Sequence, residues 1–399
     1  VKARGRSQRP VAAALCALAL LVLALPAVAS AGEGAHASII NGRGATIQEF
    51  PSLAFIQAKQ GKGGFACTGT VVAPRVILTA AHCVEDLERG SFTPAGNYAV
   101  ATGTTDLGQA LRENVFRVVD THVFPGFDPG NLRGDAGILV LDRPTAAPPI
   151  PLAGAPDAAF YAGGATVQLA GWGLTRPNAQ QGARSLQATA MVVQSPSACQ
   201  QRTRRNYPSF SSAGQFCALD APAGKSGGCY GDSGGPAIGQ RADGSQVQLG
   251  VISTGGPFCN TKLPNVLTRA DFIAPWVAEW VAAVETGAAS PVTDPSAPFP
   301  LMTRPVAEAF TVYTLQGGFG KRFERAGRIA GQCRRASRSR FRCEVSWRVG
   351  GTIFAGVVSP FYVHRPQGVT WDSSYRIEWA SLACLRSNAP RCKIHSKRG

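Results

Sequence analysis

The chain has 399 residues, a net charge of +16 from 40 Lys and Arg against 24 Asp and Glu, and an apolar content of 45%. That length allows two or three domains and a sizeable core, and that apolar fraction excludes disorder throughout. The charge is uneven: residues 301–399 carry +13 and residues 1–31 carry +4, which leaves residues 32–300 at about −1.

Lys2, Arg4, Arg6 and Arg9 precede an apolar run from Val11 to Val28 that closes on Ala29-Ser30-Ala31. A basic start, an apolar centre and a small-residue end form the pattern of a secretory signal peptide, here residues 1–31. An uncleaved membrane anchor is the competing reading, because the run approaches spanning length. Pro26 and the small-residue end favour cleavage. No later stretch is apolar enough to span a bilayer, so the expected product is secreted, with no transmembrane segment in its mature form. The cysteines agree. Of eleven, Cys16 leaves with the leader and ten remain, enough for five disulfides in an oxidising compartment.

From Pro51 onward, short β-rich runs alternate with Gly, Pro and Asn turns. Examples are residues 52–57, 68–78, 98–102, 115–123, 137–141, 166–170, 188–193 and 247–252. Such spacing predicts an all-β antiparallel sandwich or barrel. Residues 271–284 predict a helix instead. Ile273, Trp276, Val277, Trp280, Val281 and Val284 recur at helical spacing, with Asp271 to cap it and Gly287 to end it.

Residues 288–305 hold Pro291, Pro295, Pro298, Pro300 and Pro305 among Ala, Ser and Thr, which predicts a semi-rigid linker. Beyond it, residues 306–399 read as a small basic β module, with β-like runs at 309–315, 339–349, 352–358 and 375–380. It contains Cys333, Cys343, Cys384 and Cys392. Pairing of neighbours, Cys333 with Cys343 and Cys384 with Cys392, is one of three connectivities. Zinc held by these four and His395 is the weaker alternative, because no C-x-x-C spacing is present. The arginines of this region, among them Arg334, Arg335, Arg338, Arg340 and Arg342, read as well as a solvated face as a functional one. The functional partner would be an anionic cell-surface polymer or membrane surface. Nucleic acid ranks last, for an exported chain without a nucleic-acid fold signature.

The chemistry concentrates in Lys225-Ser226-Gly227-Gly228-Cys229-Tyr230-Gly231-Asp232-Ser233-Gly234-Gly235-Pro236. A serine enclosed by glycines after an Asp suits a sharply bent backbone that lifts a hydroxyl clear. The N–H groups of Gly231 and Ser233 then converge as an oxyanion hole. A serine hydroxyl is a weak nucleophile without a base and a group to orient that base. Thr79-Ala80-Ala81-His82-Cys83 supplies the base. Of the five histidines, His36 falls ahead of the β-rich region, His364 and His395 fall in the basic tail, and His122 has no nucleophile motif near it. Asp135 is the best orienting acid, with Asp128 and Asp142 as rivals in sequence. The order His, Asp, Ser is one of the convergent arrangements of this triad.

These motifs resemble the trypsin/chymotrypsin-like serine proteases over roughly residues 39–287. The resemblance implies two antiparallel six-stranded β-barrels, a cleft between them holding the triad, and a C-terminal helix. Gly171-Trp172-Gly173 resembles the segment that opens the second barrel. Asp135 is favoured as the acid because the apolar run after it resembles the family's Asp-Ile-Ala-Leu-Leu. The family pairs Cys67 with Cys83, Cys199 with Cys217 and Cys229 with Cys259.

The family's mature enzyme begins with a tetrapeptide like Ile39-Ile40-Asn41-Gly42, which makes residues 32–38 a propeptide. The freed ammonium of Ile39 would pair with Asp232. Ser38 before the cut does not imply a trypsin-like activator. Gly227, Ser253, Gly255 and Asn265 map to the substrate pocket. Asn265 departs from the family, where most members carry Gly. Its amide is expected to shorten the pocket and to offer a donor and an acceptor. Gly227 stands where a carboxylate would be needed for Lys or Arg, so uncharged side chains should be preferred.

The resemblance thus implies a secreted serine endopeptidase acting on proteins or peptides, with no cofactor and no metal. The competing class is a catalytically silent homologue that binds through its basic tail, and the complete triad speaks against it. The linker and the charge asymmetry further predict a tail dispensable for hydrolysis of small substrates.

Overall fold

Alternation of apolar and polar side chains sets the first barrel. In β1 (Leu53–Gln60), Ala54, Ile56 and Ala58 point inward between more exposed neighbours. The barrel continues through β2 (Gly63–Ala73), β3 (Val76–Thr79), β4 (Tyr98–Thr102), β5 (Val115–Val123) and β6 (Gly137–Leu141). It closes in the order β1-β2-β3-β6-β5-β4. The run expected at 68–78 is two strands. Pro74, which has no N–H to give a ladder, sits in the turn between them.

The second barrel is built from β7 (Thr166–Gly171), β8 (Gln187–Val193), β9 (Gln215–Leu219), β10 (Pro236–Gln240), β11 (Gln246–Thr254) and β12 (Asn265–Arg269). Its order is β8-β7-β10-β11-β12-β9, and β9 pairs back onto β8 to close the ring. Helix α1 (Pro196–Thr203) leads into β9. Helix α2 (Ala270–Thr286) follows β12, and Gly287 ends it. Ile273, Trp276, Val277 and Trp280 join the core of the first barrel, not of the second that precedes them. His122 stacks on Trp280 with ring centroids 3.8 Å apart, which makes it a packing residue.

This computed structural model describes residues 39–61, 63–205, 207, 210–287, 299–326, 329–387 and 393–399. The signal peptide and propeptide readings, most of the linker and Cys392 lie outside the described residues. Four disulfides join Cys67–Cys83, Cys199–Cys217, Cys229–Cys259 and Cys333–Cys343. Cys384 is also disulfide-bonded. No metal-binding cluster of His, Cys, Asp and Glu occurs among the described residues.

The C-terminal region corrects one expectation. Residues 309–315 are not a strand but part of helix α3 (Arg304–Phe319), in whose first turn Pro305 sits. β-branched and aromatic side chains raised the strand expectation, yet Val306, Ala307, Phe310, Thr311 and Leu315 are buried at helical spacing. Burial on one face overrode local propensity. The helix lies on an antiparallel meander of β13 (Ile329–Ser337), β14 (Arg340–Val349), β15 (Thr352–Arg365), β16 (Gly368–Ser381) and β17 (His395–Arg398). Cys333 and Cys343 face each other in the β13–β14 register. Phe310, Trp347, Phe354, Tyr362 and Trp371 fill the space between helix and sheet.

This module does not trail from a free tether. All described residues belong to one compact unit, and the module seats on two loops of the first barrel. Tyr362 donates to Asp128 Oδ1 at 2.7 Å, Trp371 Nε1 donates to the Leu87 carbonyl at 2.8 Å, and Thr370 donates to Glu85 Oε1. The Val123 N–H donates to the Gln367 carbonyl at 2.9 Å.

Candidate active site

The end of β3 delivers His82 on a short 3₁₀ turn, Ala81–Cys83, that the Cys67–Cys83 disulfide ties to β2. The loop into β6 delivers Asp135, which is fully buried. Its Oδ1 accepts the His82 backbone N–H at 3.0 Å, and its Oδ2 accepts the Nδ1–H of the same residue at 2.8 Å. Ser253 Oγ donates to Oδ2 at 2.5 Å, and Thr268 Oγ1 donates to the Asp135 carbonyl at 3.0 Å. The carboxylate therefore fixes both the backbone and the ring of His82. Burial disfavours the imidazolium, but the charge and hydrogen bond of Asp135 outweigh it and hold His82 above its ordinary value.

The rival acids have other partners. Asp128 accepts the N–H of Gly130 at 3.1 Å and the amide of Asn131 at 2.7 Å, a turn-forming role. Asp142 pairs with Arg117 and Arg143 at 3.1 and 3.3 Å where β6 leaves the barrel.

Ser233 stands opposite, on the loop that enters β10, and lines one cleft with His82 and Gly231. Among the described residues, the Ser233 hydroxyl forms no direct hydrogen bond to His82. The loop is held from the first barrel by residues the sequence did not single out. Thr68 N–H donates to the Ser233 carbonyl and Thr68 Oγ1 donates to the Gly231 carbonyl, each at 2.9 Å. No motif marks Thr68, whose only signal is its place beside Cys67.

Gly231 has φ of +96°, and a Cβ there would lie 2.8 Å from the Gly173 Cα, so only glycine fits. The N–H of Asp232 donates to the Cys229 carbonyl at 3.0 Å. The N–H groups of Gly231 and Ser233 donate to no protein acceptor among the described residues. Two backbone donors are thus left beside a serine hydroxyl.

Asp232 turns inward and is fully buried. Its carboxylate accepts N–H groups of Gly173 and Cys229, each at 2.9 Å. Burial pushes it up to about 7, although these two bonds pull it down. No cation pairs with it among the described residues. Ile39 is also fully buried, in the core of the second barrel, and Ile40 exchanges backbone hydrogen bonds with Gly227 at 3.0 and 3.3 Å.

Asn265, at the start of β12, sits where Gly227, Gly228 and Gly255 converge. Its Oδ1 accepts the Gly228 N–H at 3.0 Å, and its Nδ2 donates to the Gly228 carbonyl at 3.3 Å. A Cβ on Gly255 would lie 2.7 Å from that Nδ2. The amide occupies the space between Gly228 and Gly255. Its donor and acceptor, however, already serve the backbone of Gly228. The hydroxyl of Ser253, whose backbone position maps beside the pocket, donates to Asp135.

Comparison with known proteins follows the same outline. The Trypsin family model matches residues 39–277. A trypsin-like protease of Streptomyces glaucescens is 30% identical over 276 residues, 68% of this chain and 93% of that one. A trypsin of Saccharopolyspora erythraea is 29% identical across 58% of this chain and 92% of its own. A chymotrypsin of Phaedon cochleariae is 29% identical across 61% and 83% respectively.

Proposed function

The chain belongs to the trypsin family of serine proteases, and from that membership we propose that Ser233, His82 and Asp135 carry its peptide hydrolysis. The single observation behind this assignment is the His82–Asp135 pair facing, across one cleft, a serine flanked by two unengaged backbone N–H groups. Ser233 Oγ attacks the scissile carbonyl while His82 takes its proton. Asp135 holds the ring with Nδ1 protonated, so that Nε2 is free to act as the base. The N–H groups of Gly231 and Ser233 receive the oxyanion. His82 then protonates the departing amine, and water hydrolyses the acyl-enzyme by the same route. A contact between Ser233 and His82 that tightens on substrate binding is ordinary for such sites. The reaction requires no cofactor or metal.

Activation follows from Asp232. Cleavage before Ile39 supplies an ammonium to a buried carboxylate that has no counter-charge among the described residues. The same charge pair then braces the Gly231–Ser233 turn. The pocket bounded by Gly227, Gly255 and Asn265 holds no carboxylate, and its amide is already engaged. It therefore takes small to medium uncharged side chains, and a Lys or Arg would enter without compensation. A secretory leader and the disulfides support action outside the cell. There the basic outer face of the C-terminal sheet, with Arg334 beside Arg342 and Arg376 beside Arg398, suits an anionic surface polymer.

A fluorophosphonate probe tests the assignment. The chain beginning at Ile39 should be labelled on Ser233, and labelling should vanish in Ser233→Ala and collapse in His82→Ala. An unlabelled Ser233 in the correctly cut chain would instead favour a silent, binding homologue.

A further inference from the structure

The segment that follows His82 is held from the barrel, where Gln60 Nε2 donates to Asp86 Oδ2 and Tyr98 donates to the Cys83 carbonyl, and from the C-terminal module. Glu85 and Asp86 pair with Phe92 and Ser91 in a miniature hairpin, next to the Cys67–Cys83 disulfide. The C-terminal module supplies the other hold. Thr370 donates to Glu85 Oε1, and Trp371 Nε1 donates to the Leu87 carbonyl. A Cβ on Gly90 would lie 2.1 Å from the Trp371 carbonyl oxygen, so the two backbones meet where no side chain could intervene. Glu85 is only 2% exposed, and its Oε2 has no partner among the described residues.

Trp371 is itself locked. It stacks on Phe310 of α3 at 4.4 Å and 8°. That helix is seated against the loop before Asp135, where a Cβ on Gly130 would strike Val306 at 2.0 Å.

The clamped segment is a wall of the cleft. Glu85 to Arg89 line, with His82, Ser233 and Gly231, a space of about 1200 Å³. None of Gly227, Gly255 and Asn265 lines it. A peptide whose side chain enters that pocket runs past Ser233 and must place the residues beyond the scissile bond in this cleft.

We propose that the C-terminal module fixes the leaving-group side of the cleft by clamping Glu85–Arg89, and so determines which polypeptides are cut. This inference rests on the peptidase reading above. Thr370 and Trp371 are positioning residues, since they act through the segment and touch no substrate. The substrates concerned are extended polypeptides with at least two residues after the scissile bond. Short substrates that end there do not feel the clamp.

The test compares the full chain cut before Ile39 with Trp371→Phe and Gly130→Ala, neither of which lines the cleft. Two substrates share one acyl side: a peptidyl nitroanilide, and an internally quenched peptide with four further residues. Both variants should cleave the anilide within about twofold of the parent, and the long peptide about tenfold less well in kcat/KM, Trp371→Phe by losing one hydrogen bond and Gly130→Ala by a methyl forced against Val306. The partition of the acyl-enzyme toward an added dipeptide amide should fall in parallel. Hydrogen exchange of amides 85–92 should quicken about tenfold, a readout independent of turnover. If Trp371→Phe fails to fold, Thr370→Val carries the same expectation. Equal losses on both substrates, no loss on the long one, or unchanged exchange overturn this inference alone. A parent chain that cleaves neither substrate overturns the peptidase reading and this inference with it.

Discussion

The two halves of the cleft are braced from opposite ends of the chain. The second barrel contributes Ser233, and the turn carrying it rests on a buried Asp232 with Ile39 packed in the same barrel. The first barrel contributes His82 and Asp135. The loops around them rest on Tyr362, Thr370 and Trp371 of the C-terminal module. In our reading the first brace is switched by a single peptide-bond cleavage, whereas the second forms with the fold and stays on. The contrast separates a control on whether the site works from a control on what it accepts.

Removing the chemistry from either half sets the upper bound. Ser233→Ala should lower kcat by about 10⁶ with the unfolding temperature unchanged, and Asp135→Asn should lower kcat by about 10⁴. Near-normal turnover by either purified variant would break the comparison at its root.

The brace of the second barrel comes next. Asp232→Asn should cost about 10²–10³ in kcat, the size of a lost oxyanion donor, with little change in KM. The same carboxyl gives a pH signature. Its folded value of about 7 lies above the ordinary one, so the uncut chain holds this contribution fully below about pH 4 and loses it as pH rises through 7. The ammonium of Ile39 should remove that loss. Thermal unfolding of Ser233→Ala protein, cut and uncut, measured from pH 4 to 8, checks the difference. Burial also pushes Glu85 up, to about 8, with the same sign, so Glu85→Gln is carried in both samples. Equal slopes would show that cleavage does not charge-pair Asp232.

Breaking the outer brace should be milder. Tyr362→Phe removes the donor to Asp128 and should lower the unfolding temperature by roughly 2–4 °C, about one hydrogen bond. Asn265→Gly should produce the smallest change. It deepens the pocket and should shift preference toward larger uncharged residues by roughly tenfold or less, read from paired peptide substrates. An Arg-ending substrate that outruns Leu, Phe or Gln counterparts in the parent chain would show the pocket wrongly read.

The same division governs how much the sequence revealed. Ser233, His82 and Asp135 are legible as a candidate site because the chemistry proposed for them admits few residue types, and those types sit in short, ordered motifs. The strands of the first barrel are legible as β-rich runs bounded by turn residues, down to residues 98–102 and 115–123. Strands β9, β10 and β12 are each short and buried along nearly their whole length, so side-chain alternation does not mark them. Helix α3 was misread from its β-branched and aromatic content. The seat of the module was invisible for a different reason. Gly90, Gly130, Thr370 and Trp371 are ordinary residues whose meaning lies in a partner hundreds of positions away. The proline-rich stretch before α3 suggested independence that the docked module does not have.

Helix α2 has a consequence for how the chain is made. Its Ile273, Trp276, Val277 and Trp280 complete the core of a barrel whose last strand, β6, ends at Leu141. During synthesis the first barrel therefore waits, its apolar interior unsealed, until the whole second barrel has emerged. The loop beside His82 waits longer still, for Thr370 and Trp371 near the end of the chain. Domains generally fold as their residues appear, N-terminal part first. Here the order of assembly runs against the order of appearance. A chain made only as far as β6 lacks the α2 side chains that close this core, so the first barrel depends on residues more than a hundred positions downstream.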